Sequence, residues 1–502
     1  MSVVRSYRRR IVDGELDELM PALPAIAIEG AKAVGKTATA SERAATVQAL
    51  DDPARRAITA ADPTRLLDAA PPVLIDEWQH VPETWDLVRR AVDAGAAPGT
   101  YLLTGSAAPI GTGTHSGAAR IPTVRMRPLA LAERPGSQPS VSLAELLSGR
   151  RDAMSGTTAV RLEDYVAEII ASGFPGLRGL PPRALRAQLD GYVARVVDRD
   201  FPELGHAVRN PTALRRWMAA YAAASSTTAT FEKIRDAATG GKNDKPARKT
   251  TLPYRHVLER LWILDPVPAW QPTRSHLSRL TAASKHQLAD PALAARLLGA
   301  SVEALLDGQD LGPAMPRDGT LLGALFESLT TLSARVYAQA AEATVGHLRT
   351  FAGEREIDLV VQRHERAHLG NRGQARSHGH RAGCAPSEMA GRGDRRRAAR
   401  RDHHHDRKRG VPTCRSHRRR AVGAPGPMSK GSFRKSSTAP TVSGCTRTRG
   451  FVPRRTSDVS ATSLLPSLTV WASVQSSADT GTVRSSATAV IVSFSLRVRT
   501  SV

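Results

Sequence analysis

Gly30-Ala31-Lys32-Ala33-Val34-Gly35-Lys36-Thr37 has the spacing of a phosphate-binding loop: a glycine, four variable residues, then Gly-Lys-Thr. Gly30 and Gly35 allow a tight turn in which successive backbone N–H groups point at phosphate oxygens. A helix starting near Lys36 adds the positive end of its dipole. In such a loop Lys36 reaches the β- and γ-phosphates and the Thr37 hydroxyl binds Mg²⁺. The flanks agree: Leu23 to Glu29 is a short apolar strand candidate, and the alanine-rich stretch from Thr37 to Leu50 is compatible with a helix.

A second stretch, Val73-Leu74-Ile75-Asp76-Glu77, is a continuous apolar run ending in two carboxylates, the pattern of a buried parallel strand. Open α/β sheets bind ligands at the carboxyl ends of their strands. There Asp76 is expected to hold Mg²⁺, directly or through water, and Glu77 to orient or deprotonate an attacking water. A third run, Thr100-Tyr101-Leu102-Leu103, ends in Thr104-Gly105-Ser106; Thr104 and Ser106 are placed to sense a γ-phosphate or its lytic water. Three strand ends in this order point to nucleotide hydrolysis, with ATP and Mg²⁺ as the expected cofactors.

The phosphate loop, the Leu74-Ile75-Asp76-Glu77-Trp78-Gln79 stretch and Leu102-Leu103-Thr104-Gly105-Ser106 together resemble the prokaryotic AAA-type ATPases. The resemblance runs from about Tyr7 to about Val361. It implies a P-loop domain, then a helical, winged-helix-like region, then a C-terminal domain of unknown function with restriction-endonuclease-like traits. By resemblance the loop from Gly30 to Thr37 cradles phosphates, Thr37 and Asp76 hold the metal, and Glu77, Thr104 and Ser106 serve hydrolysis. Arg120 lies in a segment this family tends to keep basic, and is a candidate γ-phosphate contact in cis or from a neighbouring subunit of a homo-oligomer.

Charge divides the chain. The whole carries 71 Lys+Arg against 47 Asp+Glu, a net charge of +24. From Arg363 onward stand 28 basic and 7 acidic residues, leaving 43 and 40 in residues 1–362. All three cysteines, Cys384, Cys414 and Cys445, also fall beyond that line. The first 362 residues are therefore nearly neutral, cysteine-free and long enough for two or three cored domains, a composition that suits the cytoplasm. No apolar stretch follows the basic Arg5–Arg10 segment as in a signal peptide, and no run is long enough to span a membrane.

The expected organisation is α/β: a P-loop parallel-sheet domain over residues 1–137, with Thr123 to Leu129 as an edge strand; a mostly helical, winged-helix-like region over 138–270; an incomplete nuclease-like α/β domain over 271–362; and a disordered basic tail over 363–502. In the second region Leu162, Tyr165, Val166, Ile169 and Ile170 form a core-facing helical stripe. Thr230–Ala238 and Leu252–Leu264 suggest a helix-turn-helix, with Lys242, Lys245, Arg248 and Lys249 as possible DNA or RNA contacts. In the third, a helix carrying Glu327 precedes a hairpin carrying Asp358, matching two metal-binding positions of restriction-endonuclease-like nucleases. The Glu-x-Lys expected on the next strand is absent, so nuclease activity is not expected.

Arg363 to Pro427 has no hydrophobic period, and reads as GC-rich coding sequence taken one base out of frame. Asn371-Arg372-Gly373-Gln374-Ala375 is compatible, one base later, with Ile-Glu-Val-Lys, the missing strand. A frameshift between about Val361 and Asn371 is the working expectation. The function expected is ATP hydrolysis coupled to work on nucleic acid. The alternatives are a nucleotide-gated switch with little turnover, and an inactive remnant that only binds ATP.

Overall fold

The computed structural model describes residues 7–105, 118–148, 158–239, 246–271, 281–307, 319–349, 356–364, 465–474 and 487–497. The first sheet joins β1 (Ala25–Glu29), β2 (Thr46–Ala49), β3 (Val73–Asp76), β4 (Tyr101–Gly105) and β5 (Thr123–Arg125) in the order β2-β3-β4-β1-β5. All its pairings are parallel, with Ile26 opposite Leu102 and Asp76 opposite Thr104. The expected edge strand is thus an edge, and β4 separates the phosphate-loop strand from the acidic one.

Strand alternation sorts the core into two layers. Ile26, Ile28, Leu74 and Leu102 face one side, where they share a core with α1 (Val12–Leu19) and the helical region. Ala25, Ala27, Val73, Ile75, Tyr101 and Leu103 face the other, against Trp78, Trp85 and Val88. The two tryptophan rings lie 4.7 Å apart, Trp85 belonging to α4 (Glu83–Asp93), which follows α2 (Lys36–Ser41) and α3 (Pro53–Ala61). Burial on both faces is why these strands read as unbroken apolar runs rather than alternating ones.

Helices follow: α5 (Leu143–Leu147), α6 (Leu162–Ile170), α7 (Pro182–Arg195), a one-turn π segment (Val196–Asp200) running into α8 (Phe201–Glu203), α9 (Pro211–Ala223), α10 (Phe231–Ala237) and α11 (Arg248–Arg260). In α6 Leu162, Val166 and Ile169 are buried, with Tyr165 and Ile170 packed at their margin. Two helices, α10 and α11, stand where the pair was expected; Arg248 and Lys249 are exposed at the second, while the connection at 240–245, with Lys242 and Lys245, lies outside the described residues.

The helical core continues past residue 270. Helix Pro291–Leu297, capped by the Asp290 carboxylate, packs against α6, α7 and α9 through its Ala/Leu face. Asp290 also accepts from Ser172 Oγ (2.6 Å) and the Gly173 N–H (2.7 Å), and so pins the break between α6 and α7.

The second sheet has the order β6-β7-β9-β8, from β6 (Ala343–Arg349), β7 (Glu356–His364), β8 (Leu465–Val474) and β9 (Ala487–Arg497). The predicted hairpin is β6–β7. The tail departs from the expectation of disorder at β8 and β9, which pair antiparallel, with β9 alongside β7. These two stretches are rich in Val, Ile, Thr and aromatic residues, which favour extended backbone, and β7 offers β9 a free edge. Helix Gly319–Ala340 and α5 pack on this sheet around Leu147, Ala338, Val345, Leu359 and Val361. Among the described residues no helix is long and apolar enough to cross a membrane.

Candidate functional site

The loop between β1 and α2 (Lys36–Ser41) closes over the carboxyl end of the sheet. Its conformation explains its glycines. A Cβ on Gly30 would stand 2.1 Å from the Met126 carbonyl oxygen, and Gly35 enters α2 at φ +102°. Ala33 also adopts positive φ, 68°, inside the loop. Lys36 folds back onto the loop, donating to the carbonyls of Gly30 (2.9 Å) and Ala31 (3.0 Å). Burial pushes its ammonium down to about 8, against the pull of Glu77 and Asp76.

Asp76 is buried at the end of β3 and accepts from Thr37 Oγ1 at 2.9 Å. Its same oxygen accepts from the Thr104 hydroxyl, which the β3–β4 register sets alongside it. Thr37, Asp76 and Thr104, called from three separate stretches of sequence, thus converge on one oxygen. Glu77 follows in the left-handed region, at φ 54°, and accepts from the Gln79 side-chain amide. A non-glycine residue in that conformation is uncommon and recurs at functional sites. The turn aims Glu77 out of the strand, toward a cavity of about 680 Å³ that it lines together with Lys32, Gln79 and His80.

Arg120 is not brought to this cluster: its guanidinium pairs with Asp93, at 2.8 Å, at the far end of α4. Ser106 lies outside the described residues.

Three further contacts hold the loop and α2, and sequence reading missed the partners in all of them. Arg10 donates to the Val34 carbonyl (2.9 Å) while its guanidinium pairs with buried Glu133 (2.9 Å). Tyr7 shares hydrogen bonds with Asp13 (2.6 Å) and Thr39 of α2 (3.0 Å). Lys32 reaches Asp200 of the π segment at 2.6 Å. The carboxylates that Arg10 and Lys32 pair with lie more than 100 residues away in the chain, so no local pattern announces them.

In the third region Glu327 and Asp358 do approach each other, but through an ammonium. Lys285 Nζ lies 2.8 Å from Glu327, 2.9 Å from Glu356 and 3.2 Å from Asp358. Burial pushes Glu327 up to about 7 despite that lysine. Among the described residues no group of three His, Cys, Asp or Glu side chains is arranged to hold a metal ion. Cys384, Cys414 and Cys445 lie outside the described residues.

Comparison with known proteins places these features. Residues 23–134 match a family model described as an AAA domain, and residues 162–304 match a domain of unknown function. No curated protein matches the chain. Among solved structures, a Walker-type ATPase of Pyrococcus abyssi is 16% identical, covering 58% of this chain and 96% of its own, with a TM-score of 0.33. The ORC2 protein of Aeropyrum pernix, solved with ADPNP and ADP, is 12% identical, covering 66% and 97%, with a TM-score of 0.25. The parallel sheet and the loop make residues 23–134 a P-loop domain, and the model matched over those residues is that of an AAA domain.

Proposed function

We propose that this protein hydrolyses ATP at the carboxyl ends of β1, β3 and β4. The observation that carries the reading is the convergence of Thr37, Asp76 and Thr104 beside a phosphate loop whose lysine is already folded over it. The backbone amides of residues 31–37 bind the β- and γ-phosphates, and Lys36 leaves the Gly30 and Ala31 carbonyls to neutralise them. Asp76 and the Thr37 hydroxyl are adjacent hard oxygen donors and suit Mg²⁺; they would hold it, directly or through water, and the ion when bound supplies charge neutralisation on the phosphates. Thr104 keeps the Asp76 carboxylate oriented. Glu77, steered by Gln79, takes the proton of the attacking water.

Lys36→Ala should abolish ATP binding in an equilibrium titration of the full chain, and with it phosphate release. Binding that survives the change at wild-type strength would remove Lys36 from its role.

The reading extends to the rest of the chain. Turnover drives work on nucleic acid through the α10–α11 pair, and the active species is a homo-oligomer in which Arg120 serves a neighbouring site. Stimulation of turnover by DNA or RNA tests the first clause; a monomer in ATP with full activity would sink the second. The C-terminal sheet reads as a nuclease-like domain whose carboxylates are spent on Lys285, so no nuclease activity is expected. The frame change between about Val361 and Asn371 belongs to the same reading, and resequencing the gene tests it. Lysis of ATP so slow that nucleotide binding only times partner release is the competing reading, and the turnover number separates the two.

A further inference from the structure

Helix Gly319–Ala340 packs on the second sheet, yet its last two turns reach the phosphate loop through two short chains of hydrogen bonds. In the first, the Gln339 side chain accepts from Arg127 Nη1 (3.0 Å) and donates to the Arg125 carbonyl (2.9 Å) and to Glu15 of α1 (2.7 Å). Between those two arginines stands Met126, which is buried and donates its N–H to the Glu29 carbonyl at 2.7 Å. The Met126 carbonyl is the group that a side chain on Gly30 would strike. Met126 is therefore the floor of the loop's first turn, and Gln339 clamps the residue on either side of it. In the second chain, Tyr337 Oη accepts from the Ala132 N–H (2.9 Å) and Ser333 Oγ from the Leu131 N–H (3.1 Å). These bonds hold the single turn Leu131–Glu133, whose Glu133 pairs with Arg10. Arg10 then donates to the loop's Val34 carbonyl and to the Arg127 carbonyl, both at 2.9 Å. The groups around Gln339, Arg127 and Arg10 leave a void of only about 10 Å³. A seam packed this closely passes a shift on rather than absorbing it.

We propose that the last two turns of this helix brace the phosphate loop, with Gln339 and Tyr337 as positioning residues for nucleotide binding. The inference rests on the nucleotide reading above. The loop's N–H groups cradle phosphates only in the conformation that turns them inward. That conformation is fixed at Gly30 through Gln339 and at Val34 through Tyr337. A loop freed of either support spends part of its time in other turns, and apparent affinity falls with the competent fraction. Because the support acts on the loop itself, triphosphate and diphosphate lose alike. Linkage gives the converse: a nucleotide that favours the braced loop also tightens the helix. The middle of the same helix carries Glu327, one arm of the Lys285 cluster, so occupancy of the loop is felt at the second sheet.

The test titrates ATP and ADP against the full chain as wild type, Gln339→Leu, Tyr337→Phe, Gly30→Ala and the Gly30→Ala, Gln339→Leu pair. Gln339→Leu should weaken both nucleotides by about five- to tenfold, and Tyr337→Phe, which removes one acceptor without changing shape, by about two- to threefold. Gly30→Ala and Gln339→Leu both act on Met126, so their combined loss should fall short of the product of the separate losses. Amide hydrogen exchange across residues 329–340 should slow when ADP binds the wild type, and Gln339→Leu should abolish that protection. A role in stability alone would lower the thermal midpoint and move none of these readouts. Should Gln339→Leu fail to fold, Tyr337→Phe and the wild-type exchange decide. Variants that bind at wild-type strength, losses that multiply, or helix exchange that ignores bound nucleotide would overturn the proposal while leaving the nucleotide site intact. A wild-type chain that binds neither nucleotide overturns the underlying assignment, and the brace with it.

Discussion

Nucleotide binding should draw a proton from solution at mildly alkaline pH, because burial holds Lys36 at about 8. Its position explains this: the ammonium is buried against two loop carbonyls and has lost most of its water. Bound phosphates restore a strong anionic partner and carry the group back above its ordinary value of about 10.4. The sign follows: the lysine is partly neutral before binding and charged after it, so binding takes up a proton. With a value of about 8, uptake is about 0.1 proton per nucleotide at pH 7, about 0.5 at pH 8 and about 0.9 at pH 9. Affinity should weaken accordingly, by about tenfold (~1.4 kcal/mol) from pH 7 to pH 9. This window lies above the second phosphate ionisation near 6, so the nucleotide's own titration does not mask it. Calorimetric titrations at pH 8.5 in two buffers of different ionisation enthalpy measure the uptake directly. Enthalpies that coincide in the two buffers, with affinity flat from pH 7 to pH 9, would show that Lys36 is already fully charged before binding.

Asp265 sits among three guanidiniums, with Arg335 at 2.8 Å, Arg127 at 2.9 Å and Arg125 at 3.0 Å. Burial works to raise its carboxyl, yet Arg127, Arg335 and Arg125 hold it far below the usual carboxylate range. Asp265→Asn should therefore cost about 3–5 kcal/mol, read as a lower thermal midpoint. The loss should be the same at pH 5 and pH 8, since a depressed carboxyl gives up its stabilisation only below its unfolded value of about 3.9; an unchanged midpoint would refute the role. Lys285→Met leaves Glu327, Glu356 and Asp358 facing one another. Because Glu327 is raised to about 7, the penalty should be small at pH 5, where that carboxyl is protonated, and grow toward pH 8; a pH-independent loss in thermal unfolding would contradict this. Gly30→Ala should lower nucleotide affinity by at least about tenfold, since its methyl meets backbone rather than a yielding side chain; unaltered binding in the same titration would show that the loop moves aside.

The features legible in the sequence were those written in consecutive residues. The loop, the apolar strands and the carboxylates at their ends are local patterns, and the β3–β4 register turned Asp76 and Thr104 into one cluster. The hairpin of β6 and β7 was legible for the same reason. The supports of the site were not. Arg10 finds Glu133, Lys32 finds Asp200, and Arg127 finds Asp265 only once the chain has folded. Lys285 shows the limit most clearly: a lysine was expected beside Glu327 and Asp358 from the following strand, but the ammonium there comes from a residue earlier in the chain. The pairing of Arg120 with Asp93 was not legible for a different reason, since a basic residue in a loop carries no sign of which carboxylate it will meet. The tail's charge hid two stretches with Val, Thr and aromatic residues, whose strand character is local even where the surrounding composition is not.

The proposed hydrolysis rests on Glu77, the residue whose left-handed backbone turns it out of β3 toward the cavity. The direct measurement is phosphate release by the full chain with ATP and Mg²⁺, wild type against Glu77→Gln, alongside nucleotide binding by both. The account predicts steady turnover by wild type, binding of similar strength in the variant, and hydrolysis slowed by about 10²–10⁴-fold. A Glu77→Gln chain that releases phosphate at the wild-type rate would contradict it.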